Sequence, residues 1–275
     1  MFHWHSRTRN QFVVLPPVGL RVPRVFRKIE FDDNRHSQLL AAMQRLRGKT
    51  YLEDGAIRPQ DLTPDGRHQT AADQNAWHVI SLNAEGKVGA CLRYLDERDS
   101  SGFNGLWVSH AAIACCPSLG WKMRRAVEFK MQCARAMRIG FGSVGGWAAA
   151  REERRTMEPV AIILATYALL ELLGGCIGLA TATFRNRSSA ILRKIGLNPL
   201  SWNGAELPAY FDPQYGCEME VLEFDSAYPN PKYADDVDRL REQLSLSPVI
   251  CRGAVSPAAE SEAPAEFALR MAAVA

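Results

Sequence analysis

Leu39, Leu40, Met43 and Leu46 return every three or four positions with polar residues between them, so residues 34–47 are predicted to form an amphipathic helix. Before it, Pro16, Pro17 and Pro23 interrupt the first two dozen residues, and Val25, Phe26, Ile29 and Phe31 suggest a strand over 25–31. Residues 51–73 are polar and carry Asp54-Gly55 and Asp65-Gly66, which predicts a long loop over the surface or over a site. The runs 76–82 and 87–95, joined by Asn83-Ala84-Glu85-Gly86, predict a hairpin. A short strand is expected at 106–114, then a helix over 119–138, a strand over 141–150 containing Gly145-Gly146, and a helix over 157–173. The apolar run 176–183 reads as a buried strand ending in polar residues, followed by a short helix over 188–195 and a stop at Gly196. A loop at 201–216, a strand at 218–224 and a modest helix at 233–244 complete the pattern, and the Ala/Pro/Glu-rich stretch after Arg252 is expected to be disordered.

With 47% hydrophobic and 23% charged positions, 275 residues are enough for one large core or two small ones. The expected organisation is an N-terminal extension over 1–25, one domain over 26–227, and a C-terminal helix and tail over 228–275. A net charge of +3 is too mild to imply nucleic acid as a partner. Seven cysteines, odd in number and without Cys-x-x-Cys spacing, suit reduced thiols in the cytoplasm better than a disulfide or zinc framework, and no metal is expected. Phe12-Val13-Val14-Leu15 is too short for a signal-peptide core. The longest apolar run, 160–173, falls short of the ~20 residues of a membrane span, so no transmembrane segment is expected.

Candidate chemistry centres on residues 145–196, where consecutive β-α units suggest two neighbouring parallel strands with helices behind them. Glycine inside a strand marks a bulge or a close backbone approach. A bulge at Gly145-Gly146 would part the two strands and expose backbone groups that a pantetheine arm can pair with as a pseudo-strand. An N–H at Gly146 could then polarise a thioester carbonyl. The other reading is that the glycines only relieve crowding in the core.

The β-α unit 176–196, with Arg185-Asn186-Arg187-Ser188 at its turn and Arg193-Lys194-Ile195-Gly196 at its end, resembles the segment that closes the acyl-thioester cleft in the GNAT N-acyltransferase superfamily. Arg47-Gly48-Lys49-Thr50-Tyr51 is similar to the Arg-x-x-x-aromatic element of acyl-homoserine-lactone synthases and the related long-chain N-acyl amino acid synthases. Gly89-Ala90-Cys91-Leu92-Arg93 is similar to their Gly-x-x-Arg strand, and Asp73 falls where they place acidic residues. Gly145-Gly146-Trp147-Ala148, Ala180-Thr181-Ala182-Thr183 and Leu207-Pro208-Ala209-Tyr210 resemble the N-acyl amino acid synthase branch.

The resemblance implies an α/β GNAT fold: a central mixed, mostly antiparallel sheet splayed between two parallel strands, with helices on both faces. It implies an N-acyltransferase that moves a long acyl group from an acyl-phosphopantetheine thioester to the amine of an amino acid or similar small molecule, with no permanently bound cofactor. Members of the superfamily cradle the coenzyme A diphosphate in a glycine-rich loop, but here that position holds Arg154-Arg155-Thr156-Met157-Glu158-Pro159. Pro159 lacks an N–H and Glu158 repels phosphate, which points to acyl carrier protein, with its single phosphate, rather than coenzyme A as the donor. Lys122, Arg124, Arg125, Lys130, Arg135 and Arg138, with Arg185, Arg187, Arg193 and Lys194, would offer that acidic partner a dock. The Glu-x-x-Arg pair of the lactone synthases is missing from 145–150, which argues against lactone chemistry.

For roles, Asp73 is the first candidate for the base, with Glu53 and His78 behind it. Leu192 stands where many members carry an acidic tyrosine, so Tyr51, Tyr210 and Tyr215 are the substitutes. Arg47 and Arg93 suit carboxylate or phosphate clamps, since guanidinium binds both bidentately. Trp147, Thr181, Thr183 and Tyr210 are expected to contact substrate, and Arg154, Arg155, Thr156, Arg185 and Ser188 the donor's phosphopantetheine. Ser188 and Thr183 could equally cap the helix they precede. The alternatives are an acyl-coenzyme A-dependent N-acetyltransferase, or a GNAT-shaped protein that binds acyl chains or a partner without turnover.

Overall fold

The structure is a computed structural model, and it describes residues 11–253. In chain order the elements are β1 (Gln11–Leu15), β2 (Lys28–Phe31), α1 (Asp33–Glu53), β3 (Ala76–Leu82), β4 (Val88–Asp96), α2 (Gly120–Met137), β5 (Gly140–Ala149), α3 (Glu158–Leu172), β6 (Cys176–Thr183), α4 (Ser188–Ile195), β7 (Asn198–Pro199), β8 (Ser201–Trp202), β9 (Ala205–Glu206), β10 (Tyr210–Asp212), β11 (Cys217–Asp225), α5 (Ala234–Leu246) and β12 (Pro248–Cys251). One sheet runs in the order β10-β11-β6-β5-β4-β3-β1-β12-β2, with β7 added on β11, while β8 and β9 form a separate small ribbon. The pairings from β1 through β3 and β4 to β5 are antiparallel, β5 and β6 are parallel, and β12 runs parallel to both β1 and β2.

The two faces of the sheet are covered differently. Leu92 and Tyr94 of β4 turn to the face packed by α3 and α5, where Ile162, Leu164, Leu169, Val237 and Leu244 join one cluster. Helix α3 is apolar all round, and a helix of that kind is buried: every residue from Ala161 to Leu170 is out of solvent. The opposite face carries two separate apolar clusters. Met43 of α1 packs with Val13, Leu15, Ile80 and Cys91. Met123, Val127 and Met131 of α2 pack with Phe141, Leu179 and Val221. Between these two cores the face is polar: paired positions put His78, Arg93 and Gly145 side by side, with Ser143 opposite Leu95. Alternation thus makes β4 apolar toward α3 and polar toward the seam between α1 and α2.

Several elements differ from the sequence reading. The strand expected at 106–114 is instead a run of 3-10 turns, Phe103–Gly105, Trp107–His110 and Ala112–Cys115. Their buried residues Phe103, Leu106, Val108 and Ile113 are spaced for successive tight turns rather than for alternation. Helix α1 continues six residues past Arg47, to Glu53, so Tyr51 lies on a helix and not in a loop. The strand expected at 25–31 begins only at Lys28, because Phe26 is in a turn closed by its N–H to the Pro23 carbonyl. The expected 26–227 boundary cuts through the sheet, since β1 is hydrogen-bonded between β3 and β12. Short β8, β9 and β10 occupy the loop expected at 201–216. The expected disordered tail lies outside the described residues. No helix among the described residues is long and apolar enough to cross a membrane, and no group of three or more His, Cys, Asp or Glu is placed to hold a metal ion.

Candidate functional site

The seam is built first from α1, which buries a polar stripe: Gln44, Arg47, Gly48 and Thr50 lie within two turns on one side. Gly48 is where the following loop crosses the helix. A Cβ there would stand 2.6 Å from the Gly66 carbonyl oxygen, so only glycine lets the loop lie this close. The loop then delivers a 3-10 turn, Ala71–Gln74, whose Thr70 and Asp73 cap each other: the Thr70 N–H donates to Asp73 Oδ2 at 3.1 Å and its hydroxyl to Oδ1 at 3.0 Å.

Asp73 is thereby set against two guanidinium groups. Arg47 grips it with both Nη atoms, at 3.0 Å to Oδ1 and 2.6 Å to Oδ2. Arg93 donates Nη1 to Oδ1 at 3.3 Å and to the Thr70 hydroxyl at 2.7 Å, and Gln44 donates to Oδ2 at 3.0 Å. Side-chain exposure is 1% for Arg47 and 2% for Asp73, so the fork is sealed from water. Burial alone would push the Asp73 carboxyl up, but the Arg47 hydrogen bonds and charge and the Thr70 N–H hold it far below the carboxylate range. His78 is buried with Nε2 at 2.7 Å from the Asp73 carbonyl oxygen, and burial lowers its pKa to about 4, so it stays neutral.

Next to this cluster β5 bulges. Arg93 is opposite Gly145 and Cys91 is opposite Ala148, which leaves Gly146 and Trp147 facing the single residue Leu92. Gly146 sits at φ +65, and a Cβ there would lie 3.2 Å from Arg47 Nη1 and 3.4 Å from Arg93 Cβ. β5 and β6 pair only from Gly140↔Cys176 to Ser143↔Leu179, so beyond Ser143 the edge of β5 toward β6 has no strand partner. The two parallel strands part after Ser143, just before the bulge that the glycines suggested. At the open end, Arg154, which follows β5, and Arg185, which follows β6, converge on the end of α1. Arg154 pairs with Glu53 at 3.2 Å and Asp54 at 3.5 Å, while Arg185 donates to the Tyr215 carbonyl at 2.8 Å and the Gly55 carbonyl at 3.4 Å. Burial raises the Asp54 carboxyl, and the charges of Arg154 and Arg185 offset this only in part.

The candidate residues thus fall into two groups and some outliers. Arg47, Asp73, Arg93 and Gly146 meet in the seam. Tyr51 is beside them, its ring 5.6 Å from that of His68 and its hydroxyl pushed up by burial and by Tyr215. Asp73 does not suit the role of base. Both its oxygens are occupied by donors and its carboxyl stays ionised far into acid, so it cannot take a proton from an ammonium group near neutral pH. Glu53, in its exposed ion pair with Arg154, and His78, behind Asp73, are no better placed. Trp147 is turned to the α3 face, where its buried Nε1 has no partner. Thr181 shares the seam face with Leu179, Tyr210 packs in the α2 core with its hydroxyl unpartnered, and Thr183 and Ser188 bond each other at 3.2 Å. Thr156 accepts the Glu158 N–H at the start of α3, and Arg155 is exposed. Much of the basic set on α2 is engaged locally: Lys130 with Glu223 at 3.0 Å, Arg135 with the Ser100 carbonyl, and Arg124 with Asn104 and Glu128. Arg193 likewise pairs with Glu220.

Gln44, Thr70 and His68 belong to the site and were missed by the sequence reading. The signal for Gln44 was available in its i, i+3 spacing from Arg47 on the same helix.

No protein-family model and no curated protein sequence matches this chain. Solved structures do match. The coenzyme A-dependent acyl-homoserine lactone synthase BjaI superposes with a TM-score of 0.53 at 13% identity, over 90% of this chain and 95% of that one. MesI, another coenzyme A-dependent acyl-homoserine lactone synthase, gives 0.50 at 11% identity, over 84% and 95%. FeeM, an N-acyl amino acid synthase from uncultured soil microbes, gives 0.44 at 12% identity, over 80% and 92%. This chain has the fold of the acyl-homoserine lactone synthases, the GNAT-like N-acyltransferase architecture that its sequence resembles.

Proposed function

We propose that this chain is an N-acyltransferase that moves an acyl group from a phosphopantetheine thioester to the amine of a small molecule bearing a carboxylate, an amino acid being the simplest case. The observation that carries the reading is the parting of β5 from β6 at the Gly146 bulge, directly beside the buried Arg47–Asp73–Arg93 cluster. A pantetheine arm can add to the unpaired edge of β5 as a pseudo-strand, which brings the thioester carbonyl to backbone N–H groups of the bulge.

The cluster supports a carboxylate-bearing acceptor. Asp73 compensates one guanidinium charge and leaves a second in the same buried space. Arg93 spends Nη1 on Thr70 and Asp73, while its Nε is buried without a partner and its Nη2 lies along β5 toward Gly145. That free edge is the side-on fork that binds a carboxylate bidentately. Tyr51, its hydroxyl protonated across neutral pH, is the acid within reach of a leaving thiolate.

At the mouth, Arg154 and Arg185 suit the phosphate of the donor. The lost glycine loop favours carrier protein over coenzyme A, and Arg125 with Lys122, which lies 5.7 Å over the exposed Trp121 ring, is the basic part of α2 left for an acidic carrier. Both donors are thioesters of the cytoplasm, where seven free thiols are at home. The test is mass spectrometry of lipid extracts from bacteria expressing the chain, against an Arg47→Ala, Arg93→Ala double variant. New N-acyl products with the parent alone support the reading and name both substrates. Their absence in cells containing folded protein, together with binding of acyl carrier protein or acyl-coenzyme A on direct titration, would replace transfer by acyl binding without turnover.

A further inference from the structure

We propose that Glu97 is the carboxylate that takes the proton from the acceptor's ammonium group, a role that rests on the acyl-transfer reading above. Glu97 follows β4 directly, and its N–H still donates to the Phe141 carbonyl of β5 at 2.8 Å, so it remains in register with the sheet. Strand alternation puts its side chain on the seam face, with Leu95 and Arg93. It is 8% exposed. One carboxylate oxygen accepts the Trp107 N–H, and the group also bonds the Ser143 hydroxyl.

Ser143 is the last β5 residue paired with β6. Glu97 itself lies level with Phe141, inside the paired part of β5, but through Ser143 its carboxylate reaches the point where the strands begin to part, on the face where Arg93 presents its free edge. Among the described residues no lysine, arginine or histidine forms an ion pair with it. The two buried carboxylates of this face are opposites: Asp73 is saturated by cations and held ionised, whereas burial raises the Glu97 carboxyl toward the range of a working base. The charged groups that bear on it are Arg93 and Asp96 of its own strand, with Ser143 from β5 and the Trp107 N–H from the turns. An acceptor whose carboxylate lies on Arg93 can turn its ammonium group toward this carboxylate.

The step balances without a further reactant. Glu97 takes one proton from the ammonium group, and the freed nitrogen lone pair attacks the thioester carbon. The C–S bond then breaks with its electron pair on sulfur, which takes the Tyr51 hydroxyl proton, and the second N–H proton restores Tyr51. Glu97 returns its own proton to solvent.

The test compares the parent, Glu97→Gln and Glu97→Asp, using palmitoyl-coenzyme A and palmitoyl carrier protein as donors and each of the twenty L-amino acids as acceptor. Thiol release and N-acyl product are followed between about pH 6 and pH 10. Glutamine keeps the shape and an oxygen for the Trp107 N–H. It is expected to lower kcat/KM for the acceptor by about 100-fold or more near neutrality, with the deficit shrinking at the alkaline end where the amine is already neutral. The donor KM should stay within about twofold, and aspartate should recover part of the loss. A deficit equal at every pH would make Glu97 a mere anchor for the 103–116 turns, and a variant as active as the parent would also overturn the proposal. A folded parent that forms no N-acyl product with any pair removes acyl transfer itself, and the role of Glu97 with it.

Discussion

Replacing Asp73 by alanine probes the centre of the seam, because one carboxylate there receives Arg47, Arg93, Gln44 and Thr70. Without it two guanidinium groups, 1% and 5% exposed, face each other with no anion between them. Removing one partner of a buried ion pair costs about 3–5 kcal/mol. The orphaned Gln44 and Thr70 donors push the loss toward the upper end, though not additively. Against a total stability of about 5–15 kcal/mol, such a loss is a large fraction. With a urea slope of about 3 kcal/mol/M, a loss of about 4 kcal/mol moves the midpoint down by roughly 1.3 M.

Urea melts at neutral pH, followed by tryptophan fluorescence, read this out directly. Asp73→Asn should fall almost as far, because it keeps the shape and loses the charge. Glu85→Gln, whose carboxylate meets Lys87 in solvent, should not move the midpoint measurably. The pH dependence carries the same sign. The folded-state pKa of Asp73 lies below its unfolded value of about 4, so its contribution is fully present above that value and is lost as pH falls below it. The parent should therefore lose stability more steeply below about pH 4 than Asp73→Asn does. A midpoint shift for Asp73→Ala no larger than that of Glu85→Gln would refute the idea that one carboxylate holds the seam together.

Gly146→Ala should destabilise by about 1–2 kcal/mol, since alanine is strained at φ +65, and should lower kcat by roughly 10- to 100-fold by displacing the bulge; melting and steady-state rates check both, and parent-like values would remove the bulge from the chemistry. Arg93→Lys keeps the charge but loses the fork, so acceptor KM should rise about tenfold with donor KM unchanged; an equal rise in both would assign Arg93 to the fold alone. Arg185→Ala should raise donor KM by roughly 3- to 10-fold and leave acceptor KM as it was; the reverse pattern would take Arg185 out of the donor's phosphate site.

The splayed β5–β6 pair was legible because two signals coincided there: glycines inside a strand and a β-α unit beginning with a run of buried residues. Arg47, Asp73 and Arg93 were legible only through the family resemblance, and their partnership was not. Arg47 and Asp73 are 26 residues apart, on opposite sides of a loop whose polar composition reads equally as one over the surface or over a site. What sends that loop inward is not apolar at all. Gly48 admits it against α1, and the charged fork then satisfies its end. The same blindness shortened α1 in the sequence reading, since its last two turns bury Arg47, Gly48 and Thr50 rather than a leucine stripe.

Asp73 and Glu97 show why placement near the cleft does not by itself identify a base. Both are acids close to the same arginine, and nothing in the chain separates a carboxylate that ends up among donors from one that does not. The pairing register decides. By placing Arg93 across from His78 and Gly145, it leaves one edge of the guanidinium on Asp73 and the other facing the gap in the sheet. Glu97 escapes that pairing because it follows the end of β4, four residues past Arg93, in the α2 half of the face where apolar side chains supply burial without a direct ion pair. The sheet therefore gives two acids opposite proton affinities by where along one strand each meets the boundary between the two cores.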